Sequence, residues 1–122
     1  MPVIVRKLNE CQEFLAGDHT HLRELLHPAR APVKLSYSLA HGKLAPGAQS
    51  KRHRLSSSEV YYFLAGHGTF HIDGQTLSVE PGMVVYVPPR AEQWVDNVGN
   101  STIDFLCLVD PAWKHEDEHI LE

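Results

Sequence analysis

The chain has 122 residues and a formal net charge of -4, with 43% hydrophobic and 21% charged residues. This length fits one domain with one core, and the composition is that of a soluble globular protein without the basic excess that nucleic-acid binding needs. The sequence has neither a signal segment nor an apolar run of about 18 residues, so we expect a cytoplasmic protein with no nucleic-acid or membrane partner.

The first 33 residues are predicted to form an N-terminal arm and a short helix. Asp18 or Thr20 can cap a helix near 19–27, and Pro28 would end it. Its apolar stripe consists of Leu22, Leu25 and Leu26. Cys11 is far from the chain's other cysteine, so we expect reduced thiols rather than a disulfide framework.

Residues 34–109 change in character and favour strands. Short runs rich in Val, Tyr, Phe, Ile and Thr alternate with turns rich in Gly, Pro, Ser and Asn, which is typical of an all-β sandwich or barrel. The predicted strands are 34–44, 51–55, 59–65, 68–73, 76–79, 83–87, 92–97 and 102–109. The acidic tail, 110–122, is expected to dock through Trp113 and completes a single domain over 1–122.

Strand alternation brings chemically active side chains to the barrel interior. His53 shares one strand face with Leu55, and Glu59 shares the next with Tyr61. An imidazole and a carboxylate are ligands for a borderline divalent metal, and a buried carboxylate needs a cationic or hydrogen-bonding partner.

This segment resembles the first motif of the cupins, G(x)5HxH(x)3-4E(x)6G. Gly47, His53, Glu59 and Gly66 are in register, and Leu55 stands where the second histidine is expected.

A second stretch resembles the other cupin motif, G(x)5PxG(x)2H(x)3N. Gly82, Pro88 and Asn97 match it, whereas Arg90 replaces the middle glycine and Gln93 replaces the histidine. The resemblance implies an all-β jelly-roll barrel, here preceded by the short N-terminal helix.

The resemblance also implies a divalent transition metal (Mn, Fe, Ni, Zn or Cu). His53 and Glu59 match two ligand positions directly, Gln93 offers an amide oxygen at a third, and Leu55 forms an apolar wall. The predicted metal ligands are therefore His53, Glu59 and Gln93, with water completing the shell.

Four residues are candidates for acting on a substrate. Glu59 and Tyr61 are the expected catalytic residues, since a carboxyl can move a proton and a phenol can orient a ligand. Tyr61, His41 and His71 are the expected substrate-binding residues if the two histidines point inward.

Two functions remain open at this point. One is a metal-dependent dioxygenase, isomerase or lyase acting on a small molecule; the other is a non-catalytic cupin that binds a metabolite or sugar-like ligand. We also expect a homodimer, because the apolar strands are many and residues 1–5 could form an exchanged strand.

Overall fold

A computed structural model describes residues 3–122, and strands dominate it. Within this range the chain forms eleven strands and two short 3-10 helices, Leu8–Glu10 and His115–Asp117. The strands are β1 (Glu13–Leu15), β2 (His21–Leu26), β3 (Ser38–Leu44), β4 (His53–Leu55), β5 (Ser58–Ala65), β6 (Gly68–Ile72), β7 (Gln75–Val79), β8 (Val84–Val87), β9 (Gln93–Asp96), β10 (Ile103–Asp110) and β11 (Glu118–Ile120).

The strands form two antiparallel sheets that enclose one interior. The first sheet has the order β1-β2-β3-β10-β5-β8, and the second has the order β11-β4-β9-β6-β7. This is the expected jelly-roll barrel, in which most chain neighbours lie in opposite sheets or are separated by another strand.

The interior is built by strict alternation along the central strands. In β10 every second residue from Ile103 to Val109 is buried, and β5 alternates in the same way. Tyr61, Phe63 and Phe70 pack with Phe105 as one aromatic cluster, with ring centroids 4.9 to 6.1 Å apart. These side chains form the centre of the hydrophobic core between the two sheets.

The predicted strands of the barrel agree with the structure to within a few residues, except that the first begins at Ser38 rather than at 34. β1, β2 and β11 were not predicted, and they extend the sheets from the segments assigned to the arm and the tail.

The predicted helix near 19–27 was wrong. His21–Leu26 is a strand that pairs antiparallel with β3, and between residue 3 and this strand the only helical turn is the 3-10 helix Leu8–Glu10. The edge of β3 has backbone groups that need partners, and Leu22 packs against the core, so tertiary pairing outweighs the good helix propensity of this segment.

The motif residues outside the site have structural roles. Gly47, Gly66 and Gly82 all have positive φ angles, of 78°, 82° and 89°, a conformation that glycine adopts without steric cost. Asn97 is fully buried and donates to the carbonyls of Leu44 and Ser101.

Both cysteines are free thiols, and Cys107 is buried. In the range 3–122 no helix is long and apolar enough to span a membrane. Met1 and Pro2 of the expected exchanged strand lie outside the described residues, and residues 3–5 belong to no strand.

Candidate functional site

A cavity of about 340 Å³ opens between the two sheets, and Tyr61 and Phe105 of the aromatic cluster form part of its lining. Side chains from both sheets, from the β1–β2 turn and from the C-terminal segment line it. Its polar lining includes Asp18, His53, Glu59, Tyr61 and Glu118. Its apolar lining includes Phe14, Leu22, Leu55, Phe105, Val109 and Trp113.

His53 is fixed by a backbone contact on one side of its ring. Its Nδ1 lies 2.8 Å from the carbonyl oxygen of Lys51, and the residue is 2% exposed. Since a carbonyl only accepts, Nδ1 must carry the proton. Nε2 therefore faces the cavity, either with a free lone pair or as the second N–H of an imidazolium.

Asp18 lies opposite that Nε2. Its Oδ2 is 3.6 Å from His53 Nε2, and its Oδ1 accepts hydrogen bonds from the backbone N–H and the hydroxyl of Thr20, at 3.1 and 2.7 Å. The turn between β1 and β2 thus holds a buried carboxylate beside the histidine.

Asp18 was not predicted as a site residue, because the sequence was interpreted as a helix cap there. The spacing Asp-x-Thr is equally typical of an Asx turn, and that signal could have placed the carboxylate in a loop.

A hydrogen-bonded chain crosses the interior from one sheet to the other. The Tyr61 hydroxyl donates to Gln93 Oε1 at 2.8 Å, and Gln93 Nε2 donates to Glu59 Oε1 at 2.9 Å. Tyr61 and Glu59 belong to β5, whereas Gln93 belongs to β9 in the opposite sheet. Gln93 therefore holds the Glu59 carboxyl in place. Its amide oxygen accepts from Tyr61 and its amide N–H donates to Glu59.

Burial dominates the protonation behaviour of this group. It raises the pKa of Glu59 to about 7, while His53 and the Gln93 amide lower it and Asp18 raises it further. A carboxyl that titrates near neutral pH can both accept and donate a proton under physiological conditions. Burial also raises the pKa of Tyr61 well above its usual range, so the phenol remains protonated.

Glu118, on β11, is a second carboxyl of the lining that was not predicted. Burial and the charge of Asp18 raise its pKa, while His53 lowers it. Trp113 lies beside it in the lining, and its backbone N–H donates to Ser38 Oγ. The C-terminal segment is therefore docked on the body through Trp113, as predicted, and it closes one side of the cavity.

The three predicted metal ligands are brought together, but their donor atoms do not fit a metal site. Gln93 Oε1 accepts from Tyr61, its N–H points at Glu59, and Gln93 does not line the cavity. Among residues 3–122, no group of three or more His, Cys, Asp and Glu side chains has the arrangement that a metal ion needs. Leu55 forms the expected apolar wall.

The two histidines expected to bind substrate do not line the cavity. His41 is buried on β3, with Nε2 4.0 Å from Asp104 Oδ2, and burial lowers its pKa. His71 stacks on Trp94, with ring centroids 3.7 Å apart and planes at 6°. Of the predicted substrate-binding residues, only Tyr61 lies in the lining.

Comparison with known proteins gives the family. A family model described as the cupin domain matches residues 40–109, more than half of the chain. The chain is a cupin.

Two curated relatives are informative. The chain is 32% identical to the uncharacterized protein MJ1618 of Methanocaldococcus jannaschii, over all of this cupin and 98% of the relative. It is 31% identical to the oxalate-binding protein of Thermotoga maritima, over 55% of this cupin and 56% of the relative.

Among solved structures, the nucleoside dehydratase Pac13 of Streptomyces superposes with a TM-score of 0.80. The alignment covers 99% of this cupin and 92% of Pac13, at 17% sequence identity. At this sequence identity, the likeness shows a shared fold and nothing more.

Proposed function

We propose that this cupin is an isomerase or a lyase that moves a proton on a small molecule held in the barrel cavity. One observation carries the proposal: the Glu59 carboxyl, fixed by Gln93, lines a cavity that His53 also lines from the opposite sheet. Two proton-transfer groups in one small-molecule cavity are the arrangement that general acid–base catalysis needs.

Each residue has a part in this proposal. Glu59 takes the proton from a substrate carbon or delivers it to a leaving group, and the Tyr61–Gln93–Glu59 chain keeps the carboxyl oriented. His53, with Nδ1 fixed on the Lys51 carbonyl, presents Nε2 as the second proton carrier. Asp18 stabilises the imidazolium that forms when Nε2 is protonated.

No step of the proposed reaction needs the predicted metal, because Tyr61 engages the amide oxygen of Gln93 and the described residues hold no group of three or more His, Cys, Asp and Glu side chains arranged for a metal ion. Elemental analysis of protein purified without a histidine tag tests this point. We expect less than stoichiometric Mn, Fe, Ni, Zn or Cu. A stoichiometric metal that is lost in His53→Ala would support the metal-dependent function instead.

A substrate-independent assay tests proton transfer. A library of small metabolites is incubated in D2O with wild type, Glu59→Gln and His53→Gln, and mass spectrometry identifies compounds that gain deuterium or lose water. Glu80→Gln, which changes an exposed carboxylate outside the cavity, is the matched control.

We expect wild type and Glu80→Gln to convert at least one compound, and Glu59→Gln to lose that conversion by about a hundredfold or more, the range typical of general acid–base groups. Conversion that survives Glu59→Gln would contradict the proposal. If compounds bind but none is converted, the second candidate applies: a binding module whose apolar wall, including Leu55 and Phe105, holds a metabolite without turnover.

We further propose that the protein acts as a homodimer in the cytoplasm. Exposed apolar side chains on neighbouring strands of the first sheet support the dimer. They are Tyr62, Leu64, Val84 and Tyr86. We propose no nucleic-acid partner, because the net charge is negative.

A further inference from the structure

The cavity lining is rich in carboxylates and lacks permanent cations. Asp18, Glu24, Glu59 and Glu118 line it, and none of the described lining residues is a lysine or an arginine. Glu24 is neutralised by a bidentate contact with Arg30, which lies outside the lining. Three carboxyl groups therefore remain without a lysine or arginine partner at the cavity.

Asp18 is a buried group with a free acceptor at the cavity. The residue is 7% exposed, and its Oδ1 is saturated by Thr20. No hydrogen bond from the described residues reaches Oδ2, since His53 Nε2 at 3.6 Å is beyond hydrogen-bond distance. Oδ2 is not one of the fully buried atoms without a partner, so it is accessible from the cavity and can accept a hydrogen bond from a ligand there.

The carboxyl groups also repel one another. Asp18 raises the pKa of both Glu59 and Glu118. His53, and His115 beside Glu118, can each offset one negative charge, so the three carboxyl groups still outnumber the imidazoles that face them. A bound cation would relieve this repulsion, whereas a neutral ligand would not.

We propose that the substrate of this cavity carries a cationic ammonium group, with Asp18 and Glu118 as its counter-charges and the Trp113 ring beside it. This inference rests on the proposed small-molecule function and narrows it to amines. An ammonium group satisfies the free Asp18 oxygen, and its organic body covers the apolar wall formed by Leu22, Leu55 and other residues. An aromatic ring at the carboxylate end adds a cation–π contact.

The carboxyl groups that line the cavity disfavour anionic ligands, and its apolar lining disfavours a bare metal ion. A dicarboxylate such as oxalate, which the Thermotoga relative is named for, would meet three carboxyl groups and no lysine or arginine. A bare divalent ion would satisfy the carboxylates but leave most of a 340 Å³ cavity with apolar walls unfilled. An organic ammonium ion can both pair with the carboxylates and fill the space between the apolar walls.

A matched set of probes tests the charge preference. Benzylamine, benzyl alcohol and benzoate have nearly equal size and shape but carry a positive, zero and negative charge. Calorimetric titration at one near-neutral pH compares them on wild type, Asp18→Asn, Glu118→Gln and the control Glu80→Gln, and thermal melts of each variant confirm that it is folded. Cyclohexylamine, cyclohexanol and cyclohexanecarboxylate repeat the comparison without an aromatic ring.

We expect each amine to bind at least tenfold more tightly than its alcohol and the carboxylates to bind weakest. Asp18→Asn and Glu118→Gln should each reduce amine affinity about tenfold and leave the alcohols unchanged, and Glu80→Gln should change nothing.

Equal affinity for amine and alcohol, or a preference for the carboxylate, would overturn the inference while leaving a ligand-binding cavity. An amine preference that survives both Asp18→Asn and Glu118→Gln would also overturn it, as would Mn²⁺, Ni²⁺ or Zn²⁺ binding that blocks benzylamine. The proposed proton transfer is tested by a different experiment: it would be refuted if Glu59→Gln retained turnover in D2O, whatever the charge preference of the cavity.

Discussion

At the scale of single residues, Glu59 shows how strand alternation and burial together create reactivity. Its place in β5 turns it inward with Tyr61, and the opposite sheet supplies Gln93 as its hydrogen-bond donor. A carboxyl in this position is desolvated without a lysine or arginine partner, so its proton is held more tightly than in water.

The pH dependence of stability follows from that shift. The unfolded Glu59 has a pKa of 4.5 and the folded one about 7, so the folded state holds the proton more tightly. Its contribution is fully present below 4.5 and is lost as pH rises through about 7. The whole shift corresponds to about 3 kcal/mol.

Glu59→Gln removes this titration while keeping the side-chain shape. Urea unfolding should therefore show the variant more stable than wild type at about pH 8 and close to wild type at about pH 4. Glu80→Gln serves as the control. A difference between Glu59→Gln and wild type that is independent of pH would contradict the account.

At the scale of elements, the turn between β8 and β9 departs from the cupin motif at one residue, and this residue has a strained backbone conformation. Arg90 stands where the cupin motif has a glycine, and its φ of 69° is in the left-handed region. A non-glycine residue there costs about 1 kcal/mol or more. Its backbone N–H donates to the carbonyl of Leu55, so the turn is anchored to β4 beside the cavity.

Arg90→Gly should relieve this conformation. Because glycine also loses more entropy on folding, we expect a net gain of about 0.5 to 1 kcal/mol in the free energy of unfolding, measured with urea. Arg52→Gly, at an exposed position without a positive φ, is the matched control and should not stabilise. A loss of stability in Arg90→Gly would show that the arginine side chain has a role of its own.

Several elements could be predicted from the sequence and others could not. The strands from β3 to β10 follow from alternation and turn residues, and the two motifs place His53, Glu59 and Gln93 together. β2 was missed because its leucine-rich sequence favours a helix by propensity alone. It forms a strand because it pairs with the edge of β3. Asp18 and Glu118 were missed because they reach the cavity from a turn and a C-terminal strand, which no local pattern connects to the barrel.

At the scale of the whole molecule, strands β5 and β8 of the first sheet carry exposed apolar side chains on their outer face. Val84 and Tyr86, on the edge strand β8, are 65% and 60% exposed. An exposed edge strand with apolar side chains is a site for pairing with another copy.

Sedimentation velocity at tens of micromolar tests the predicted homodimer. Wild type should sediment as a dimer and Val84→Glu as a monomer, because a carboxylate buried without a partner opposes association. Val98→Glu changes a residue that is 70% exposed in a loop and should remain dimeric. A wild-type monomer at this concentration would contradict the homodimer.

The proposed role of Glu59 as a proton carrier depends on its titration near neutral pH without a metal ion. Carbon-13 NMR of protein labelled at the glutamate side-chain carboxyls follows Glu59 against pH, with Glu59→Gln identifying its signal. We expect a midpoint near 7, unchanged when the protein is treated with a chelator. A midpoint at or below 4.5, or one that rises only after chelation, would show a carboxylate held in its charged form and would contradict the account.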